Sequence, residues 1–560
     1  MKSLVLLGLL PLSLAAPAQR RAASPTVTIS YPEATVIGQP GDLVEIFPGV
    51  PFAQPPTGDL RLKPPQAITT PFNYTADANG MACPQFLLST ALSDSLSTSV
   101  LAQVLDSPLF QTLENAGEDC LNINIHRPAG TQVGDNLPVM FWIFGGGFEL
   151  GWNFMYDGAP WVESSITRGE PIIFVTVNYR VGGFGFLPGA EILADGSSNL
   201  GLLDQRLGLE WVADNIASFG GDPTKVTIWG ESAGAISVLD QMVLYGGNST
   251  YKGQSLFRAA IMNSGSMVPA DPVDFPKGQA VYDTVVAAAG CSGEADTLAC
   301  LRAAPYATFL NAVNSVSGLL SYSALALSYL PRPDGTVLTD SPEILVASGQ
   351  YAQVPFIIGD QEDEGTLFAL FQSNISTTDE LATYFQSLYF NSASLSQLNE
   401  LIATYPDQTT DGSPFRTGVL YEIYPQFKRL AAILGDLTFT LTRRVFLNLA
   451  TTVAPTVPSW SYMSSYGYGT PVLGTFHGSD ILQVFFGVLP DYASTATRAY
   501  YLSFVNHMDP NVNTGFLNWP QWSASKSLMN FYSITAFTIS DDYRSDTYDW
   551  MVENIASLHI

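Results

Sequence analysis

The sequence predicts an α/β fold built on a large, mostly parallel central sheet, and three observations point to it. Several apolar runs have the length of buried strands: residues 137–144, 171–177 and 226–229. Apolar residues recur at helical spacing over residues 204–219, and a helical pattern also suits residues 233–244. Strands and helices therefore alternate along the chain, as in a parallel sheet covered by helices. Residues 356–360 are a weaker candidate for a later strand of the same kind.

Composition and charge narrow the class of protein. Of the 560 residues, 46% are hydrophobic and 13% are charged, which is typical of a globular chain with a large core. The formal net charge is −27, with 50 acidic residues against 23 basic ones. Such a surface repels phosphate backbones and anionic membranes, so nucleic acid is excluded as a partner. No internal repeat or low-complexity linker divides the chain, and we expect residues 22–560 to form one domain.

The N-terminus predicts export. Lys2 is followed by a mostly apolar run over residues 4–14 and then by small residues, which is the layout of a signal peptide. Arg20 and Arg21 come directly afterwards and suggest a dibasic processing site, so residues 1–21 are expected to be a signal peptide with a short propeptide. No other stretch approaches about 18 uninterrupted apolar residues, and we expect no transmembrane segment.

The cysteines and three sequons agree with a secreted protein. Four cysteines in an exported chain predict two disulfides, for which the sequence permits three pairings. We favour the un-nested one, which joins Cys83 to Cys120 and Cys291 to Cys300. Candidate glycosylation sites begin the Asn-X-Ser/Thr sequons at Asn73, Asn248 and Asn374.

The chemistry is indicated by the run Gly-Glu-Ser-Ala-Gly over residues 230–234. A Gly-X-Ser-X-Gly run between a strand and a helix is a nucleophile elbow, whose sharp turn needs small flanking residues and exposes the serine Oγ. The strand candidate at residues 226–229 precedes Ser232 and an alanine-rich helix pattern follows it. This context predicts that Ser232 is the nucleophile of an ester hydrolase.

An ester hydrolase also needs amide donors for the oxyanion of its tetrahedral intermediate. Residues 145–147 are three glycines that follow the strand candidate at 137–144, and glycine lets the backbone approach a substrate closely. We expect an oxyanion hole there, with the amide of Ala233 as a further donor.

The base is expected to be one of four histidines. The order serine, acid, histidine excludes His126, and His559 lies at the end of the chain, where backbones fray. His477 lies in a loop-like setting between apolar runs and is favoured over His507. Residues 359–365 hold four carboxylates after a strand candidate, and any of them could orient the imidazole: Asp360, Glu362, Asp363 and Glu364.

Residues 84–117 form a distinct segment inside the Cys83–Cys120 loop. Leucine or valine recurs every four residues from Leu88 to Val104, and the segment holds no lysine or arginine. An amphipathic helix tethered in this way suggests a mobile flap with an apolar face, although an ordinary core-packed helix fits the same pattern.

These motifs resemble those of the type-B carboxylesterase/lipase family, which has a cholinesterase-like α/β-hydrolase fold. Residues 219–234 match the active-serine signature, and residues 118–128 match a second signature except at Asn122, where tyrosine or threonine is usual. The similarity extends over the mature chain and is strongest to secreted fungal sterol esterases and fungal lipases. Matching runs include residues 142–151, 359–366 and 474–482.

The resemblance implies a role for each of the candidates. It makes Glu364 the acid and His477 the base of a Ser-His-Glu triad. It assigns the oxyanion hole to Gly146, Gly147 and Ala233. It also supports both disulfide pairings, makes residues 84–117 a lid, and places Phe148 and Phe476 at a substrate tunnel.

The function that follows is a secreted serine ester hydrolase acting on long-chain lipid esters through an acyl-enzyme, in a single α/β-hydrolase catalytic domain. The reaction needs no cofactor or metal. Its expected partners are sterol esters and acylglycerols at interfaces or in micelles, and an apolar lid would also favour a homodimer. The alternatives are a carboxylesterase for small soluble esters and a non-catalytic adhesion module. The sequence does not rank sterol esters against triglycerides.

Overall fold

The computed structural model describes residues 23–86, 115–487 and 490–560. Their main feature is a ten-stranded sheet, accompanied by a three-stranded sheet and a small hairpin. The strands of the ten-stranded sheet are β3 (Val44–Pro51), β5 (Asn122–Pro128), β6 (Leu137–Ile143), β7 (Ile173–Val177), β8 (Gly221–Glu231), β11 (Ala259–Asn263), β12 (Phe356–Gln361), β13 (Ser459–Ser464), β14 (Ser527–Phe531) and β15 (Ala536–Ser540). The other strands are β1 (Thr26–Ser30), β2 (Glu33–Ile37), β4 (Phe72–Thr75), β9 (Thr250–Tyr251) and β10 (Gln254–Ser255).

The large sheet is parallel through its middle and antiparallel at its two edges. Its order is β15-β14-β13-β12-β11-β8-β6-β7-β5-β3. Every pairing from β14 to β7 is parallel, and the pairings of β15 with β14, β7 with β5 and β5 with β3 are antiparallel. The central strands are largely apolar and almost entirely buried, as expected when helices cover both faces of a sheet.

Helices connect and cover these strands. The α-helices are α1 (Ala159–Arg168), α2 (Gly182–Phe186), α3 (Ala190–Asp195), α4 (Leu200–Asn215), α5 (Ala233–Gly247), α6 (Pro276–Ala288), α7 (Thr297–Ala303), α8 (Tyr306–Val313), α9 (Pro342–Ala347), α10 (Thr378–Tyr384), α11 (Leu395–Ala403), α12 (Phe427–Gly435), α13 (Leu441–Val453), α14 (Ser479–Val484), α15 (Tyr492–His507), α16 (Trp522–Ser525) and α17 (Ser545–Asn554). Short 3₁₀ turns are Gly58–Leu60, Asn153–Met155, Ile216–Phe219, Phe368–Phe371 and Ile555–Ser557. Single π-helical turns are Phe385–Tyr389 and Asp436–Thr440.

The fold class predicted from the sequence is confirmed. The strand candidates correspond to β6, β7, β8 and β12, and the two helical patterns correspond to α4 with its 3₁₀ extension and to α5. β8 is longer than predicted because it begins at Gly221, which pairs with Leu137 across a register shift. The polar residues 222–225 concealed this part of the strand.

Two hydrophobic cores pack side by side. The first core surrounds the large sheet and includes Trp142, Trp229 and Ala233. The second core lies mostly between residues 320 and 441 and includes Phe368 and Phe439. The carboxyl ends of β8 and β12 point to the boundary between the cores, and this boundary is where the candidate site lies.

Both disulfides have the expected pairing, Cys83 with Cys120 and Cys291 with Cys300. The asparagines of all three sequons are exposed, so their glycosylation stays a prediction that geometry permits. Most of the predicted lid, residues 87–114, lies outside the described residues, as does the predicted signal peptide. Within the described ranges, none of the helices combines the length and the apolar character needed to cross a bilayer.

Candidate active site

Ser232 occupies a tight turn between β8 and α5. Its backbone has φ 56° and ψ −127°, a region that residues with a side chain rarely adopt. The turn is secured because the Ser232 amide donates to the carbonyl of Asn263, at the end of the neighbouring strand β11, over 2.9 Å. This hydrogen bond, together with the flanking strand and helix, holds Ser232 in its strained conformation, as in a nucleophile elbow.

The two glycines of the pentapeptide are required by close packing. A Cβ on Gly230 would lie 2.3 Å from the carbonyl oxygen of Gly234, and a Cβ on Gly234 would lie 2.1 Å from the carbonyl oxygen of Ile143. Both distances are shorter than any tolerable contact with backbone. The sequence pattern thus follows from the geometry of the turn, which brings α5 directly against β6.

Three side chains from distant parts of the chain meet at this turn. His477 Nε2 lies 2.8 Å from Ser232 Oγ, and His477 Nδ1 lies 2.5 Å from Glu364 Oε2. The other oxygen of Glu364 accepts a 2.7 Å hydrogen bond from the amide of Gln361. In this arrangement the imidazole can accept the serine proton on Nε2 while Glu364 holds a proton on Nδ1.

The imidazole packs against two rings of the second core. The centroid of the Phe439 ring lies 4.5 Å from that of His477, and the centroid of Phe368 lies 5.1 Å from it. Burial by itself would lower the pKa of His477, but the charge of Glu364 and the hydrogen bond to it outweigh burial and raise that pKa. Glu231 and Asp480 act in the same direction.

The three consecutive acids at 362–364 have different surroundings. Glu362 pairs with the partly exposed side chain of Arg416. Asp363 is buried, and its Oδ1 accepts from the Ser413 hydroxyl and the Phe415 amide. Its Oδ2 accepts from the Thr475 amide over 2.9 Å, so Asp363 fixes the loop that carries His477. Burial raises the pKa of Asp363 to about 7.

Asp360, the first of the four candidate acids, is buried on β12 near Arg443 of α13. It lies 3.5 Å from Arg443 Nε, and burial raises its pKa to about 7. Of the four carboxylates, only Glu364 contacts His477 through a hydrogen bond in the described structure. The geometry therefore distinguishes among residues that the local sequence left equivalent.

Two further buried carboxylates, Glu231 and Asp480, lie near the imidazole. Glu231 Oε1 is 3.6 Å from His477 Nε2, and burial raises the pKa of Glu231 to about 8. Asp480 Oδ2 accepts a 2.8 Å hydrogen bond from Asn263 Nδ2, and burial raises the pKa of Asp480 to about 6. A positive imidazole formed at this position therefore has several acidic groups around it.

The expected oxyanion hole lies beside Ser232. Gly146, Gly147 and Ala233 line the same cavity as Ser232 and His477. Within the described residues, no acceptor takes a hydrogen bond from the amides of these three residues. Gly146 has φ 111°, which only glycine adopts readily, and a Cβ there would lie 2.3 Å from the carbonyl oxygen of Leu150. Among the described residues, these three amides are thus available as donors at the wall of the cavity that Ser232 lines.

Glu149 supports this turn from inside the protein. Its Oε2 accepts a 2.7 Å hydrogen bond from the amide of Leu319, whose side chain packs against Gly147. Burial raises the pKa of Glu149 to about 8. Gln85, two residues after Cys83, holds the next part of the turn through two hydrogen bonds to Gly151.

The serine and imidazole open into a mostly apolar cavity. Leucines dominate its wall, at positions 319, 320, 325, 327, 330 and 367. Phe148 lines it as the resemblance implies. Phe476 is not among the residues that form this wall in the described structure; its half-buried ring packs on the second core instead. The aromatic residues beside His477 are Phe368 and Phe439.

The other histidines lie in separate environments. His507, the last residue of α15, has its Nε2 3.1 Å from Glu170, and His126 is 3.4 Å from Asp157. His559 contacts Asp271 and Glu343, whose hydrogen bonds raise its pKa to about 9. In the described part of the chain, none of these three side chains contacts Ser232, which agrees with the choice of His477.

Several residues that shape the site carry no sequence signal of their own. Asp363, Glu149, Phe368 and Phe439 act through contacts with chain segments far away in the sequence. Asp363 could have been considered only as one of four equivalent acids. Glu149 follows the three glycines and Phe148. The only sequence signal for a role of Glu149 is that it is a lone acid within an apolar run.

Comparison with known proteins adds an independent line of information. A family model described as "Carboxylesterase family" matches residues 23–549. Secreted lipase 1 of Botryotinia fuckeliana is 67% identical over 97% of this chain and 95% of its own length. A secreted triacylglycerol lipase of Gibberella zeae is 58% identical over 98% of this chain and 93% of its own length.

A solved structure shows the same fold. The crystal structure of Aspergillus niger EstA superposes with a TM-score of 0.79 at 26% sequence identity. The match covers 96% of this chain and 99% of the other.

Proposed function

Because the chain belongs to the carboxylesterase family and is a carboxylic ester hydrolase, we propose that it is a secreted serine lipase for long-chain lipid esters. One observation carries this proposal. The line Ser232–His477–Glu364 has hydrogen-bond spacing throughout and opens into a cavity with a mostly apolar wall. The first part of this geometry suits acyl transfer, and the second suits a lipid substrate.

The first half of the reaction forms an acyl-enzyme. His477 Nε2 takes the proton of Ser232 as Oγ bonds to the ester carbonyl carbon, and the carbonyl oxygen becomes an oxyanion. The free amides of Gly146, Gly147 and Ala233 donate to this oxyanion. Preorganised donors of this kind contribute about 3–4 kcal/mol each to transition-state stabilisation. The imidazolium then gives its proton to the leaving alcohol oxygen as the ester C–O bond breaks.

The second half returns the serine. Water attacks the acyl carbon while His477 accepts a proton from it, and the same amides hold the second oxyanion. The imidazolium protonates Ser232 Oγ as the acyl–serine bond breaks and the carboxylic acid leaves. Glu364 keeps Nδ1 protonated through both halves and stabilises the imidazolium without taking its proton.

The wall of the cavity supports long acyl chains. Apolar side chains form most of it, among them Leu319, Leu327 and Phe439. Each buried CH₂ contributes about 0.8 kcal/mol, so a leucine-lined wall favours long chains over short ones. The named lipases among the relatives agree with this substrate class. Export is supported by the predicted signal peptide and by the two disulfides.

The preferred lipid is a further part of the proposal: both sterol esters and acylglycerols are expected as substrates. The test is a comparison of hydrolysis rates for cholesteryl oleate, triolein and p-nitrophenyl butyrate, with Ser232→Ala as the blank. Hydrolysis of both lipid esters by the wild-type enzyme alone supports the proposal. Activity restricted to the soluble ester would instead favour a carboxylesterase, and no activity on any ester would favour a binding module.

A further inference from the structure

A buried acid, Asp240, forms part of the cavity wall two helical turns beyond the serine. Ser232, Ile236 and Asp240 follow at intervals of four residues, so they share one side of the start of α5, and all three line the cavity. The cavity therefore runs along the helix from the reacting serine to a carboxyl group. None of the steps proposed for ester hydrolysis uses this group.

Asp240 has no partner for its polar atoms. Only 1% of the residue is exposed, and in the described part of the chain neither carboxyl oxygen has a hydrogen-bond partner. Burial without a partner raises its pKa well above the usual value and so favours the neutral carboxyl, which has an O–H donor beside an acceptor. An unpaired buried polar group destabilises the fold, and such groups often have a functional role.

The cavity that Asp240 lines has a mostly apolar wall. Leu330, Pro331, Pro342 and Ile560 line the same cavity. A neutral carboxyl in such surroundings has little attraction for a cation or an anion. Its chemistry suits a neutral group that can both donate and accept a hydrogen bond, which is an alcohol hydroxyl.

The distance from Ser232 indicates which hydroxyl this is. Eight helical residues span about 12 Å at 1.5 Å per residue, and an extended chain covers about 1.2 Å per bond. The hydroxyl therefore lies roughly eight to ten bonds from the reacting carbonyl. A free hydroxyl of a partial glyceride is too close to the ester, and the sterol hydroxyl is itself esterified. A hydroxyl in the middle of an acyl chain has the required position.

We propose that Asp240 is a specificity-determining residue that binds the mid-chain hydroxyl of a hydroxylated acyl group. The inference rests on the proposed function, because the acyl chain must enter from Ser232 along α5. A hydrogen-bonding site discriminates against substrates that leave its polar groups unpaired. The enzyme should accordingly prefer hydroxylated acyl esters over plain ones of equal length.

The test compares matched esters with one leaving group. Initial rates are measured for p-nitrophenyl esters of octadecanoic acid and of its 10-hydroxy and 3-hydroxy derivatives. In the wild-type enzyme, kcat/KM for the 10-hydroxy ester should exceed the values for both other esters by about tenfold. The 3-hydroxy ester controls for polarity, because its hydroxyl lies too near the carbonyl to reach Asp240.

Variants of similar size separate binding from packing. Asp240→Leu should abolish the preference for the 10-hydroxy ester, whereas Asp240→Asn, which keeps a donor and an acceptor, should retain most of it. Ser237→Ala is the matched control, because this buried polar residue of α5 bonds Gln205 away from the cavity. It should leave the preference unchanged.

The possible outcomes are distinct. No preference in the wild-type enzyme, or the same preference in Asp240→Leu, would overturn the proposal. p-Nitrophenyl butyrate has an acyl chain too short to reach Asp240, so its hydrolysis reports on Ser232 alone. If the wild-type enzyme does not hydrolyse p-nitrophenyl butyrate, the proposed ester hydrolysis itself is refuted. A change in melting temperature with an unchanged preference would show a structural role for Asp240.

Discussion

Glu364→Gln tests the site most sharply, because the two oxygens of Glu364 have different partners. Oε1 accepts from the Gln361 amide and Oε2 faces His477 Nδ1. The glutamine oxygen should keep the bond to Gln361, since leaving that buried donor unpaired costs about 1–3 kcal/mol. The NH₂ group then donates to Nδ1, so the imidazole carries its own proton on Nε2. In that tautomer it cannot accept the proton of Ser232.

The expected loss is large. The equivalent change of acid to amide in a serine protease lowers kcat about 10⁴-fold through the same tautomer error. The measurement is kcat for p-nitrophenyl butyrate at a pH above the imidazole pKa, and thermal melting followed by circular dichroism serves as the check on folding. Retention of more than about a tenth of wild-type activity by a folded Glu364→Gln would refute the reasoning.

The two neighbouring acids supply the controls. Glu362→Gln removes an ion pair with Arg416 that does not involve His477, and the variant should keep most of the activity. Asp363→Asn should show an intermediate loss, because an amide group cannot accept from all three donors around it and the Thr475 amide, two residues before His477, loses its anchor. If Glu362→Gln were the crippling change, the assignment of the acid would be wrong.

Three further outcomes are expected. Ser232→Ala should lower kcat by about 10⁶-fold with an unchanged melting temperature, and a folded, active variant would contradict the mechanism. The pKa of His477 is raised, and catalysis needs its neutral form, so activity should rise with pH through a midpoint above the ordinary value of about 6.5; a pH–rate profile with a lower midpoint would count against this. Replacing Leu92, Leu96 and Val100 by serine should reduce activity on emulsified esters far more than on p-nitrophenyl butyrate, because each apolar side chain contributes about 1.5–3 kcal/mol at an interface. Equal losses on both substrates would argue against a lid.

The sequence predicted those parts of the molecule in which chemistry is local. Ser232 is identifiable because the close packing of its turn demands glycine at 230 and 234, and because the preceding apolar strand and the following helix are short-range patterns. The strands that became β6, β7 and β12 were predicted for the same reason, since burial on both faces produces continuous apolar runs.

Long-range contacts were beyond such reasoning. Asp363 and Glu364 are adjacent acids, and their contacts with residues 413–415 and 475–477 give them different roles. Asp363 holds the loop that carries His477, whereas Glu364 orients the imidazole. Asp240 is a single acid in an apolar helix, and this pattern suggests an ordinary exposed position. Only the structure shows that the residue is buried at the cavity wall.

The placement of the site between the two hydrophobic cores affects how the enzyme would lose activity over time. Ser232 is held by strands of the first core, whereas Phe368 and Phe439 of the second core hold the imidazole. Proteins open locally in cooperative units before they unfold globally. A small displacement of one core relative to the other would separate Ser232 Oγ from His477 Nε2 without unfolding any helix. The working lifetime of the catalyst is therefore a property of this boundary, and mutations that strengthen either core alone would leave it unchanged.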